Sequence, residues 1–418
     1  MGKLVVRGGN SLRGEVDVQG SKNAVLPIMA ASLLNAGVTV LINCPDIEDV
    51  NSMSLILEYL GCVINRDENT LIIDTANAQS KPVTADMTAK LRASSILLGA
   101  LLARFGQVYI ANPGGCRIGK RPIDIHLEAL KRLGAVWEQD GTGVSVMCRQ
   151  LLGNTLYLKF PSVGATENAI MAAVGAAGDT VIMNAAKEPE VLELCRYLKK
   201  IGVKLEGEGT GRIMVSGGNE LSDGVYEVGA DRIVMGTYMA AVAACRGEVL
   251  LKNCCAKYAR GFLDVYTGMG VACRQTEQGL VVSCKDRCRN VNYISTGPYP
   301  GFPTDMQSIT MSVAAVSKGT MYISENIFED RFKVAPWLRK MGADIIIEES
   351  NACINGVDKL KGTTVRGEDL RGTAALLIAG LAAEGTTVID NADYILRGYA
   401  GVCNQFGELG ADIVWECS

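Results

Sequence analysis

The segment Pro113–Arg121, PGGCRIGKR, holds the most reactive combination in the chain. Cys116 is flanked there by Arg117, Lys120 and Arg121. Nearby cations favour the thiolate over the thiol, and the thiolate is the nucleophile. Gly114 and Gly115 leave the backbone before the cysteine free to bend. The chain has 14 cysteines, and the others lie mostly in apolar runs or hairpins, where they read as packing residues. His126 is the single histidine. It reads equally well as a ligand contact or as a hydrogen-bonded structural residue. One histidine excludes every multi-histidine metal site.

A second set of polar residues opens apolar, helix-forming runs. These are GSKNAV with Lys22 and Asn23, KLRASS with Arg92, PSVGATEN with Ser162, Val163 and Gly164, GADRIV with Asp231, FPTDMQ with Asp305, and GEDLRGT with Asp369 and Arg371. Capping alone explains the acidic and hydroxyl residues. It does not explain Lys22, Arg92 or Arg371, because a cation in the first turn opposes the helix dipole. A third set follows short β-prone runs: NPGGCRIGKRPID, NAAKEPEV, ENIFEDRF and ADYILRGY. Gathered together, Lys22, Arg92, Arg121, Arg331, Arg371 and Arg397 would make a site for phosphate or carboxylate. Asp231, Asp305 and Asp369 would supply carboxylates to the same site, any of which is a candidate base.

The elements that must position these residues are repeated six times. An Ala/Leu/Met-rich run reaches a glycine and a β-prone run follows, at Gly37, Gly106, Gly178, Gly247, Gly319 and Gly385, spaced 66 to 72 residues apart. A second marker keeps phase with the first: YLGCVI, RLGAVW, KIGVKL, GMGVAC, KMGADI and ELGADI. Each repeat therefore reads as helix, glycine cap, strand, second helix, glycine and hairpin. The sixth repeat stops at ADIVWECS without a returning strand, so the N-terminal KLVVRGG is expected to complete it. On this reading residues 21–229 form one three-repeat domain carrying the cysteine loop. Residues 1–20 with 230–418 form the other, and the active site lies in the cleft between them.

Composition narrows the class of function. The chain has 418 residues, 48% hydrophobic and 21% charged, which suffices for full cores without metal or disulfide staples. A net charge of −4 argues against a general nucleic-acid or membrane-surface binder. The opening MGKLVVRGG lacks the apolar core of a signal peptide, and the longest apolar runs are too short to span a bilayer. These features point to a cytoplasmic protein with reduced thiols and no membrane insertion.

At this level of detail the chain resembles the UDP-N-acetylglucosamine 1-carboxyvinyltransferases. The resemblance covers nearly the whole sequence. It rests on GSKNA at 20–24, RAS at 92–94, PGGCxIGxRPID at 113–124, PSVGATEN at 161–168, KEPE at 187–190, DRI at 231–233, FPTDMQ at 302–307, FEDR at 328–331, DLR at 369–371 and RGY at 397–399. It implies an α/β fold of two inside-out α/β barrels, built from six pseudo-equivalent repeats of about 70 residues. It implies phosphoenolpyruvate and UDP-N-acetylglucosamine as substrates, no metal or redox cofactor, and no nucleic-acid partner. The sequence sets no oligomeric state and is compatible with a monomer.

The same resemblance implies roles for particular residues. Lys22, Arg121 and Arg397 would hold phosphoenolpyruvate. Arg92, the stretch Arg121, Pro122, Ile123, Asp124 and Ile125, then Ser162 to Gly164, Asp305 and Ile327 would contact the nucleotide sugar. Asn23, Asp231 and Arg331 belong to the same substrate set, and Asp369 and Arg371 to a closing interface. Asp305 would be the base on the sugar 3′-hydroxyl. Cys116 would serve protonation at C3, form an adduct with phosphoenolpyruvate and be alkylated by fosfomycin.

Other readings fit less well. The related 5-enolpyruvylshikimate-3-phosphate synthases share the fold but lack the cysteine loop that PGGCRIGKRP supplies. A sliding clamp would spread basic residues over inward helix faces, whereas here they gather at helix starts and turns. An inactive paralogue used for binding would have lost catalytic matches that are all present.

Overall fold

The computed structural model describes residues 2–89, 91–112 and 123–417, with Arg92 and Ala93 described by their backbone. Among the described residues, 20–229 form one compact unit and 2–19 with 230–417 form another.

Each unit is organised by three helices. In the first these are α1 (Lys22–Ser32), α2 (Leu97–Phe105) and α3 (Val163–Val174). In the second they are α4 (Arg232–Cys245), α5 (Thr304–Val316) and α6 (Leu370–Ala382). The runs are rich in Ala, Leu and Met, good helix formers that lose little rotamer freedom. They are apolar on all faces, and a helix apolar all round belongs inside a core. Accordingly every residue of α6 from Leu370 to Leu381 is buried, and α4, α5 and α6 pack on one another. Small residues permit the close approach. A Cβ on Gly99 of α2 would lie 2.3 Å from the Asn168 carbonyl oxygen on α3.

Among the described residues, six sheets accompany the six helices. In the first repeat, strand Val38–Ile42 pairs antiparallel with Thr70–Asp74, which pairs antiparallel with Val63–Asp67. Gly224–Glu227 lies parallel on the other side of Val38–Ile42. The same order recurs in the other repeats, except that in the second the parallel strand is reduced to a single bridge between Val83 and Ile110. In the sixth, Thr386–Asp390 has Thr364–Arg366 parallel on one side and the N-terminal strand Gly2–Arg7 antiparallel on the other. Gly2–Arg7 also pairs with Asp412–Cys417, so it supplies the return strand absent from the end of the sixth repeat. The described strands form separate sheets and do not hydrogen-bond into a closed barrel. Among the described residues no helix is long and apolar enough to cross a membrane.

The two glycine markers do different work. The second marker ends the outer helix of every repeat. In the first repeat Gly61 N–H donates to Glu58 O and Cys62 N–H to Leu57 O, the paired bonds of a Schellman end. The same two bonds recur at Gly134, Gly202, Gly270, Gly342 and Gly410. All six glycines have positive φ, between 89° and 110°. The first marker is a helix cap only at Gly106, φ 71°. Elsewhere the helix stops earlier, at Ser32, Val174, Cys245, Val316 and Ala382, and the glycine lies in the turn into the next strand or, at Gly247, opens that strand. The expected glycine cap of the core helices is thus corrected for five of the six.

Two strands are exchanged in sequence order. Leu12–Asp17 precedes α1 but pairs parallel with Gly247–Lys252, and Gly224–Glu227 precedes α4 but pairs with Val38–Ile42. Leu4 of the N-terminal strand is fully buried in the core of the second unit. Leu4→Ala should therefore destabilise that unit by about 2–5 kcal/mol. Denaturant unfolding measures this, and an unchanged midpoint would show that the strand is peripheral.

Candidate active site

In the unit of residues 20–229, Lys22 is the first residue of α1 and Asn23 the second. The preceding Ser21 makes no side-chain capping bond. The Lys22 ammonium lies 2.6 Å from Asp49 Oδ2, and the Asp49 side chain is only 3% exposed. Asp49 sits at the second position of the helix Glu48–Tyr59, where the dipole also favours a carboxylate. The sequence reading passed over Asp49. Its signal was a second acidic residue in a helical first turn.

Arg92 opens a short 3-10 turn, Arg92–Ile96, that leads into α2. Ile123 precedes the helix Asp124–Arg132, with Asp124 exposed and Ile125 half-buried. Ser162 caps α3, its hydroxyl accepting from Ala165 N–H, and Val163 and Gly164 form the first turn. Asn168, fully buried, ties these pieces together. Its amide nitrogen lies within bonding distance of Ser95 O, Gly164 O and His126 Nδ1, while its oxygen accepts from Gly99 N–H. Cys116, Arg121 and Pro122 lie outside the described residues.

The His126 ring is hydrogen-bonded within this unit through Nδ1, to Asn168. Burial pushes its pKa down to about 4, against a smaller opposing pull from Asp124. The neutral ring accepts from Asn168 at Nδ1, which leaves the proton on Nε2. On the same helix as Asn168, Glu167 is buried, and Oε1 has no hydrogen-bond partner among the described residues. Burial, reinforced by Glu190 and Glu188, holds its carboxyl well above the usual range.

In the second unit the acidic residues meet at helix starts. Asp231 caps α4, accepting from Ile233 and Val234 N–H, and Asp369 caps α6, accepting from Arg371 and Gly372 N–H. Asp305 is the second residue of α5 and does not cap it. Arg331 bonds its Oδ1, and Arg371 bonds its Oδ2 at 2.8 Å. Arg331 also lies 4.0 Å from Asp369. Both arginine side chains are nearly inaccessible, at 3% and 4%, whereas Asp305 keeps 25% of its side chain exposed. Arg331 and Arg371 are thus engaged by Asp305. Burial opposes the charge of Arg371, but Asp305, Tyr399 and Asp231 outweigh it and its pKa is raised.

Arg397 ends the short 3-10 helix Ala392–Arg397. The turn after it is fixed by Gln19, which donates to Gly398 O and accepts from Ala400 N–H. Tyr399 is buried, its hydroxyl 2.7 Å from Thr237 Oγ1. Ile327 is half-buried, and its N–H donates to Glu325, another residue the sequence reading did not single out.

Many of the described thiols are held in the protonated form by burial. Burial pushes Cys44, Cys62, Cys254 and Cys273 up to about 11, and Cys195 and Cys245 to about 12. Cys284 is held down by a hydrogen bond from Cys288, but it is itself buried.

A family model described as EPSP synthase (3-phosphoshikimate 1-carboxyvinyltransferase) matches residues 6–406. UDP-N-acetylglucosamine 1-carboxyvinyltransferase 2 of Caldanaerobacter subterraneus subsp. tengcongensis is 42% identical over 414 residues, 99% of each chain. The chain belongs to the UDP-N-acetylglucosamine 1-carboxyvinyltransferase family. The Thermotoga petrophila enzyme of the same name is likewise 42% identical, over 99% of this chain and 98% of its own. Two solved structures share the fold. The enolpyruvyl transferase NikO from Streptomyces tendae aligns over 100% of this chain and 99% of its own, with a TM-score of 0.89 and 23% identity. EPSP synthase from Acinetobacter baumannii aligns over 100% of both, at 0.77 and 18%. Membership of this carboxyvinyltransferase family makes the chain a transferase.

Because His126 is the single histidine, its ring gives one resolvable NMR titration. It should remain neutral down to about pH 4. The unfolded chain takes up this proton near the unperturbed pKa of about 6.5. Below that pH the unfolded state binds more protons than the folded one, so stability falls as pH drops from about 6.5 towards 4. The full effect is about 3 kcal/mol. A ring that titrates near 6.5 in the folded protein would contradict this placement.

Proposed function

We propose that the protein transfers the enolpyruvyl group of phosphoenolpyruvate to the 3′-hydroxyl of UDP-N-acetylglucosamine and releases phosphate, in cytoplasmic peptidoglycan synthesis. The observation that carries this reading is the 42% identity to enzymes of that name over 99% of this chain. Motifs from all six repeats contribute to it.

The chemistry asks for specific groups. Phosphoenolpyruvate brings a carboxylate and a phosphate, so fixed cations must hold it. Lys22, Arg121 and Arg397 take that role, and Asp49 keeps the Lys22 ammonium in one place. Arg92, Ile123, Asp124, Ile125 and the first turn of α3 take the nucleotide sugar, with Ile327 and Asp305. The 3′-oxygen forms a bond to C2 as Asp305 takes its proton and C3 gains one from Cys116. Transfer of a C3 proton back to the Cys116 sulfur, with departure of phosphate taking the C2–O bonding pair, then restores the double bond. Each carboxylate oxygen of Asp305 accepts from a guanidinium, Oδ1 from Arg331 and Oδ2 from Arg371, which fixes the orientation of the base. We further propose that each unit is an inside-out α/β barrel. The buried helices and the separate sheets support that arrangement.

Phosphate should be released only when phosphoenolpyruvate and UDP-N-acetylglucosamine are both present. Release with shikimate 3-phosphate in place of the nucleotide sugar would overturn the assignment. Fosfomycin should label Cys116 first, because burial keeps most of the described thiols protonated at neutral pH. Peptide mapping after brief exposure tests this. Inactivation with label on another cysteine and none on Cys116 would refute the role of the loop.

A further inference from the structure

Glu325 follows the strand Thr320–Ser324 and is 3% exposed. A buried carboxylate is costly to desolvate and persists only where donors converge on it. Four neutral donors do so here. Oε1 accepts from Thr296 Oγ1 at 3.0 Å, Ile327 N–H at 2.9 Å and Phe328 N–H at 3.1 Å. Oε2 accepts from Thr304 Oγ1 at 3.0 Å. Among the described residues Glu325 forms no ion pair. Its charge is used entirely to orient hydroxyl and backbone groups.

We propose that Glu325 is a positioning residue that sets the base and the sugar-binding turn together. This rests on the roles proposed above for Asp305 and Ile327. An ionised carboxylate has no proton to give, so the single Thr304 proton points to Glu325. The Thr304 lone pairs then face Arg331, whose Nε donates to Thr304 Oγ1 at 3.2 Å. With Nε fixed, the planar guanidinium can turn only one edge towards Asp305 Oδ1. Arg371 holds Oδ2 independently. The path Glu325, Thr304, Arg331, Asp305 fixes the plane of the base.

Through its other oxygen, Glu325 winds the turn that carries Ile327. Asn326 closes the same turn, its N–H donating to Thr296 Oγ1 at 2.8 Å and its amide to Thr296 O at 3.0 Å. Thr296 is thus held by Glu325 on one side and by Asn326 on the other. A single buried charge keeps the turn and the base in register.

The two arms respond differently to substitution. In Glu325→Gln the amide oxygen can still accept from the two backbone N–H groups. The amide NH2 then faces Thr304 and competes with Arg331 for the same lone pairs. Thr304→Val removes the relay outright, and Thr304→Ser keeps it. Both E325Q and T304V should lower kcat about ten- to a hundredfold, with the KM for UDP-N-acetylglucosamine changed by less than about threefold. T304S should restore most of the rate that T304V loses. A merely structural role would lower the melting temperature without separating kcat from KM.

The measurement is steady-state phosphate release for wild type, E325Q, T304V and T304S, with thermal melts of each. A T304V enzyme with wild-type kcat, or T304V and T304S equally impaired, would overturn the role of Glu325. If E325Q does not fold, the Thr304 pair decides the question alone. Wild-type protein that releases no phosphate would instead overturn the functional reading itself, and the role of Glu325 with it.

Discussion

Six buried helices begin inside this protein, and every buried helix start leaves backbone N–H groups that must find partners. That constraint shapes the polar chemistry of both units. Three of the starts are closed by their own side chains: Ser162 on α3, Asp231 on α4 and Asp369 on α6. The start of α2 runs on from a 3-10 turn without a side-chain cap, and the starts of α1 and α5 have no such cap either. The latter two carry Lys22 and Asp305, the residues given the cation and base roles. Capped starts fix geometry, and uncapped starts keep their charged side chains for other partners. A lysine in a first turn opposes the dipole, but the cost falls when a carboxylate such as Asp49 sits against it.

In the second unit the two buried arginines are paired, while the buried Glu325 is held by neutral donors instead. Arg331 and Arg371 are almost wholly withdrawn from water and converge on one carboxylate. Breaking such a pair from one side typically costs several kcal/mol, because the remaining charge stays buried. Asp305 therefore has a structural as well as a chemical claim on its neighbours. The partial exposure of its side chain is what separates it from Asp231 and Asp369, whose buried carboxylates are closed by backbone donors.

Much of this was legible in the residues, and the failures have physical reasons. The second glycine marker was legible because a Schellman end needs a positive φ at one defined position. The first marker was misread, because a glycine that turns into a strand looks the same in sequence as one that caps a helix. The return of the N-terminal strand was legible from a hairpin that lacked its partner. The exchange of Leu12–Asp17 and Gly224–Glu227 was not, since short edge strands carry no marker of which neighbour they join. Within the site, Asp305, Arg371 and Lys22 stood out by type and place. Asp49, Asn168 and Glu325 did not, because their importance lies in partners that only tertiary structure brings near.

The pairing of Gly2–Arg7 with Thr386–Asp390 and Asp412–Cys417 also imposes an order on biosynthesis. The strand leaves the ribosome long before either of its neighbours. At about 5–20 residues per second the wait is roughly 20–80 s. During that interval the apolar side chains of Leu4 and Val6, buried in the finished protein, have no native neighbours. Residues 20–229 need nothing from the C-terminal half for their own sheets, since their last strand is Gly224–Glu227. That half of the chain can fold while the rest is still being made. The other must hold the strand Gly2–Arg7 in reserve until Thr386–Asp390 and Asp412–Cys417 have been made.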